Sequence, residues 1–153
     1  MADIVIRRAR QADLPELIAL FAADDVGGHG DTTDETAFDD YLRAFNVIDA
    51  SQNEQLFVAE LEGEVVGTFQ ILFNRTLTGR GSLSMILEAV QTRGDMRGKG
   101  IGAQMIGHAI EEARRRDCRQ VALTSNMART HAHRFYERLG FAKSHFGFKM
   151  KLK

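Results

Sequence analysis

The chain has 153 residues, one cysteine, one proline and no long apolar run. Its apolar stretches are far too short to span a bilayer, so no membrane-crossing helix is expected. Cys118 alone excludes an intramolecular disulfide, and a cytoplasmic setting is the natural expectation. The opening MADIVIRRAR lacks a basic segment followed by an apolar one, so no secretory leader is expected. The five histidines show neither HExxH nor paired-cysteine spacing, and no metal site is expected. No proline- or serine-rich stretch divides the chain, so a single domain over 1–153 is expected. A net charge of −1 argues against a nucleic-acid partner.

The charge that is present is unevenly placed. Residues 1–92 carry 16 acids and 6 bases, a net −10; residues 93–153 carry 5 acids and 14 bases, a net +9. A dipolar layout suggests that the two halves meet different chemical partners. The stretch 24–40 is the extreme case, with seven acids and no Lys or Arg. Gly27, Gly28 and Gly30 make its first part a mobile loop.

Periodicity orders the elements. Ile4 to Ile6 read as a short strand. Asp13 and Glu16 are spaced as a capping box around Pro15, opening a helix to about Ala23. A second helix is predicted over Thr36 to Val47, with Phe38, Tyr41, Leu42 and Phe45 as its apolar stripe. Strands follow at 56–59, 65–73 and 82–92. A helix after Gly102, a strand at Gln120 to Thr124 and a helix from Arg129 to Leu139 come next, with Gly140 as C′ residue. Phe141 to Leu152 is predicted to be further strand, kinked near Ser144 and His145. The order β-α-α-β-β-β-α-β-α-β is an α/β or α+β sheet domain.

The segment Arg97-Gly98-Lys99-Gly100-Ile101-Gly102 carries the clearest chemistry. Alternating glycines let backbone N–H groups converge at a helix start, and the two bases add charge. A pyrophosphate suits such a site. One glycine would suffice for a plain turn. No GxxxxGK[ST] is present, which excludes a P-loop. Gly98, Gly100 and Ala103 also fit a dinucleotide fingerprint, but the preceding meander and the 51 residues after Gly102 do not suit that fold.

These residues resemble the GNAT superfamily of acyl-CoA-dependent N-acetyltransferases. Arg97, Gly100 and Gly102 match its [QR]-x-x-G-x-[GA] motif. ILEAVQT resembles the fourth strand of that fold, with Glu88 nine residues before the motif arginine. HAHRFYERLGF resembles its second signature, in which Tyr136 precedes a Leu-Gly-Phe turn. The tail from Ser125 is similar to small bacterial members, aminoalkylphosphonate N-acetyltransferases among them, although many relatives carry Asn where Arg129 stands.

The resemblance implies a GNAT fold: a central mixed, mostly antiparallel sheet of six to seven strands with about four flanking helices. It implies transfer of the acetyl group of acetyl-CoA to a primary amine of a small molecule by direct attack. Residues Arg97, Gly98, Lys99, Gly100, Ile101 and Gly102 would bind the pyrophosphate. Val90, Gln91 and Thr92 would pair with the pantetheine arm like an added strand, and an N–H near Val90 would serve the oxyanion. Glu88 is the candidate base: alternation sets it with Ile86 and Val90, and an apolar setting would raise its pKa. Tyr136 is the candidate acid for the departing thiolate, with a core aromatic as its alternative. Asn126 either touches CoA or caps the following turn. The acidic 24–40 segment suits a cationic acceptor. Relatives commonly form homodimers. Rival readings are acetylation of an aminophosphonate or a protein N-terminus, and a non-catalytic acyl-CoA-binding module.

Overall fold

The computed structural model describes residues 3–24, 26 and 29–153. Gly27 and Gly28 of the expected glycine loop lie outside the described residues. The chain forms two compact units, 1–123 and 124–153.

The first unit is built on one sheet. Its strands are β1 (Val5–Arg8), β2 (Glu54–Leu61), β3 (Glu64–Arg75), β4 (Leu83–Thr92) and β5 (Gln120–Leu123), ordered β1-β2-β3-β4-β5. The first three pairings are antiparallel and β4·β5 is parallel. The helices are α1 (Leu14–Ala22), α2 (Phe38–Ala50), α3 (Thr78–Gly81, a single turn) and α4 (Ile101–Arg115). Neighbouring residues along β2 face opposite ways. Leu56 and Val58 join Leu14, Leu17, Ile18 and Phe45 of α1 and α2 in one apolar cluster. Phe57 stacks on Phe69 with centroids 5.0 Å apart, and both rings meet His108 of α4 edge-on. The sheet is thus covered on both faces. Burial pushes the His108 imidazole pKa down; Glu112 opposes this and Arg115 adds to it.

The expected capping box at Asp13 and Glu16 does not form. Asp13 is buried and accepts from the Arg7 guanidinium at 2.8 and 2.9 Å and from the Arg10 N–H at 2.7 Å. Burial alone would raise its carboxyl pKa; those hydrogen bonds overcome this and hold it below the ordinary carboxylate value. Glu16 instead accepts the Val65 N–H at 2.9 Å, tying α1 to β3.

The second unit holds α5 (Thr130–Arg138). Gly140, with φ of 102°, ends it as expected. The Phe141 N–H donates to Tyr136 O and the Gly140 N–H to Glu137 O, both at 3.0 Å, closing a Schellman motif. The expected strand over Phe141 to Leu152 is absent, and the sheet has five strands rather than six or seven. An apolar-polar alternation makes a strand only where a neighbouring strand takes its N–H and C=O groups, and, among the described residues, 141–153 carry no strand.

Candidate active site

β4 supplies the first part of the site. Opposite β3, Gln70 pairs with Glu88 and Thr68 with Gln91, so Ala89 and Val90 together face Phe69. That is a β-bulge, and Ala89 takes φ of 50° to make it. The bulge breaks the alternation that was expected to set Glu88 with Val90. On the other side, β5 pairs only with Ser84 to Leu87. Residues 88–92 therefore have β3 on one edge and no strand on the other among the described residues. Val90, Gln91 and Thr92 are half-buried along that open edge. The Gln91 side chain donates to Leu20 O at 2.6 Å, anchoring the end of α1. Glu88 is exposed, so the apolar setting expected for it is not there.

From Thr92 the chain runs into the glycine loop. The 3-10 turn Gly94–Met96 is pinned by Arg93, which grips Asp95 at 2.7 and 3.1 Å and reaches Glu64 at 3.2 Å. Gly98 and Gly100 then adopt φ of 76° and 82°, and α4 starts with Gly100 as N-cap and no side-chain cap. Its first N–H groups are left for another acceptor. Nothing lies within 4 Å of where a Cβ would sit on either glycine, so conformation rather than crowding requires them. Arg97 and Lys99 are exposed and form no ion pair among the described residues. Ile101 is buried and roots the helix, and Gly102 is half-buried behind it. Uncapped N–H groups, two exposed cations and left-handed glycines are what a pyrophosphate needs.

A cavity of about 400 Å³ lined by Pro15, Ile18, Thr32, Asp34, Phe38 and Tyr41, among others, has no motif that announces it. Nor does a motif announce that several acids of the 24–40 segment have structural work. Asp31 accepts the Tyr41 hydroxyl at 2.8 Å, Asp34 accepts Thr36 N–H and hydroxyl at 3.0 Å each, and Asp40 pairs with Arg43.

In the second unit, Tyr136 is half-buried, with its ring edge-on to Phe135 at 5.2 Å and Phe141 at 5.8 Å. Burial pushes its phenol pKa up, against a smaller lowering by Arg129. The hydroxyl therefore keeps its proton at neutral pH. Asn126 takes the capping role: its Oδ1 accepts the Ala128 N–H at 2.9 Å, and its carbonyl accepts the Arg129 N–H at 2.9 Å. His133 Nε2 also bonds that carbonyl at 2.8 Å.

A sheet with one open-edged, bulged strand feeding an uncapped glycine helix start defines a class, and the sequence match agrees. Residues 9–141 match the Acetyltransferase (GNAT) family, and the chain belongs to it. It is an acyl-CoA-dependent acetyltransferase. The chain is 37% identical over 115 residues to the aminoalkylphosphonate N-acetyltransferase of Salmonella typhimurium, covering 75% of this chain and 72% of that one. A chain from Bacillus halodurans C-125, described as a transcriptional regulator, is 38% identical and superposes with a TM-score of 0.94 over 98% of this chain and all of that one. The aminoglycoside N-acetyltransferase AAC(6')-Iy in complex with CoA shares the fold at 18% identity, with a TM-score of 0.80 over 100% of this chain and 97% of that one.

Proposed function

We propose that the chain acts as one acetyltransferase domain that moves the acetyl group of acetyl-CoA to a primary amine of a small molecule by direct attack. The observation that carries this is the open edge of β4 at 88–92 leading straight into the uncapped start of α4. When bound, acetyl-CoA supplies an acetyl thioester. Residues Arg97 to Gly102 hold its pyrophosphate through backbone N–H groups, with Arg97 and Lys99 neutralising charge. Val90, Gln91 and Thr92 offer ladder groups to the pantetheine arm on the side where no strand competes. An N–H near Val90, at the bulge, would serve the oxygen that gains charge. An amine must be neutral to attack. Glu88, exposed on the same strand, takes its surplus proton directly or through water. The Tyr136 phenol, protonated at neutral pH, donates a proton to the departing thiolate.

The relative from Salmonella typhimurium favours a second, narrower reading in which the amine belongs to an aminophosphonate. The acidic 24–40 segment supports a cationic acceptor less than its composition suggests, because Asp31, Asp34 and Asp40 are engaged locally. A thiol-release screen with acetyl-CoA across polyamines, amino acids, aminophosphonates and aminoglycosides tests both readings. Release with at least one primary amine is expected. CoA binding without release from any acceptor would leave a non-catalytic acyl-CoA module in its place.

A further inference from the structure

Acetyl transfer makes no use of the charged surface at the other end of β4 and α4. A cavity of about 580 Å³ opens there between the β3–β4 connection and the α4–β5 turn, and all of its lining belongs to residues 1–123. Arg75 and Arg80 come from one side and Arg116 and Arg119 from the other, with Asp117 as the one carboxylate, a net +3. None of the four arginines takes part in an ion pair among the described residues. Elsewhere in the same unit Arg7, Arg43, Arg93 and Arg115 each hold a carboxylate. Guanidiniums gathered around one cavity repel one another, and an anion between them relieves that repulsion.

The arginines are held in place by groups other than acids. Arg75 Nη1 donates to Gly81 O at 2.7 Å. Arg116 lies over the Phe73 ring at 3.9 Å and donates to Gln52 O at 3.3 Å. The Arg119 N–H donates to Leu83 O at 2.8 Å, and its guanidinium sits so close to Gly79 that a Cβ there would meet Nη1 at 2.1 Å. Gly79, Arg80 and Gly81 take φ of 65°, 62° and 74°, three left-handed residues in a row. Glycine does this freely, but the arginine between them is strained, and the strained residue lines the cavity.

The cavity is remote from the glycine loop. α4 has 15 residues, so about 22 Å of helix separates Gly100 from Arg116. β4 has 10 residues, so roughly 30 Å of strand separates Leu83 at the cavity from Thr92 at the loop. We propose that the cavity binds a polyphosphate anion, as a second ligand site distinct from that of acetyl-CoA. A guanidinium matches phosphate oxygens two at a time, and linked phosphates engage several arginines at once. The net +3 suits three or more negative charges. The volume lies within the range of small-molecule sites, roughly 300–1,000 Å³.

Tripolyphosphate titrated by calorimetry into the full chain, with and without saturating CoA, tests this. The CoA-saturated chain is expected to bind one equivalent. Arg80→Gln and Arg119→Gln are each expected to weaken that binding roughly 10-fold or more, with unchanged circular dichroism and CoA affinity. Cys118, the one thiol, lines the cavity, so its labelling by a maleimide is expected to slow when tripolyphosphate is bound. ATP binding tighter than tripolyphosphate assigns the site to a nucleotide, and weaker binding assigns it to an inorganic chain. No binding to the CoA-saturated chain, binding indifferent to both arginines, an unchanged labelling rate, or citrate binding as tightly as tripolyphosphate overturns the proposal. Should CoA itself fail to bind, the arginine-dependent equivalent is still read on the free chain, which separates the two readings.

Discussion

At the scale of single residues, the site divides into groups with an electronic task and groups with a mechanical one. Among the described residues Glu88 makes no side-chain hydrogen bond or ion pair, and it is the group we propose as base. Glu88→Gln is expected to lower turnover roughly 100-fold, and most at low pH, where free amine is scarce. A rate against pH profile identical to the parent would remove Glu88 from the chemistry. Tyr136 has both kinds of task. Its ring is the C3 partner of Phe141 in the Schellman motif, and its hydroxyl is the group we propose as proton donor. Tyr136→Phe keeps the ring, so stability should move by less than about 0.5 kcal/mol and CoA affinity should hold. Turnover should fall roughly 100-fold. Full turnover with the phenylalanine would make the residue packing alone.

At the scale of elements, the glycine loop is where conformation becomes affinity. Gly100 at φ of 82° sits where L side chains are strained by about 1–2 kcal/mol. Gly100→Ala is expected to cost about that much stability and to weaken CoA binding by an order of magnitude or more, read by calorimetry. Much of this was legible in the sequence, because alternating glycines at a helix start permit the positive φ that Gly98 and Gly100 adopt. So was the end of α5, where Gly140 stands as C′ residue. The bulge at Ala89 was not legible, since an alanine gives no sign that it will adopt a left-handed conformation. The Asp13 and Glu16 spacing misled for a related reason. Asp13 closes back on the preceding turn, accepting the Arg10 N–H and the Arg7 guanidinium, and Glu16 is claimed by the distant Val65 N–H. The missing strand at 141–152 has the same origin, because alternation states what a segment could pair with and not where the partner lies.

At the scale of the whole molecule, charge and burial set how the fold responds to pH. Part of the −10 half does local work in caps and an ion pair, and in the +9 half Arg97 and Lys99 stand outside any ion pair among the described residues. His108 is the titrating group wedged against the sheet aromatics. Its folded pKa lies below its unfolded value, so the unfolded chain binds the proton first as pH falls. Its contribution to stability is present above about pH 6.5 and is lost as pH falls through the folded value. Replacing it by phenylalanine should flatten the thermal midpoint between about pH 7.5 and pH 5. A slope equal to that of the parent would place the sensitivity elsewhere. No helix among the described residues is long and apolar enough to cross a membrane.

The bulge has one more consequence, which concerns counting rather than chemistry. Side chains on a strand have a parity, and an inserted residue inverts it for everything downstream. Glu88 is read in one parity and Val90 to Thr92 in the other. Losing Ala89, the one residue between them, would leave Glu88 opposite Gln70 and Gln91 opposite Thr68 while closing the bulge. The extra residue thus adds length to β4 against β3 without changing which face its two ends show. Substitutions at 89 keep that length, while a single deletion there removes it.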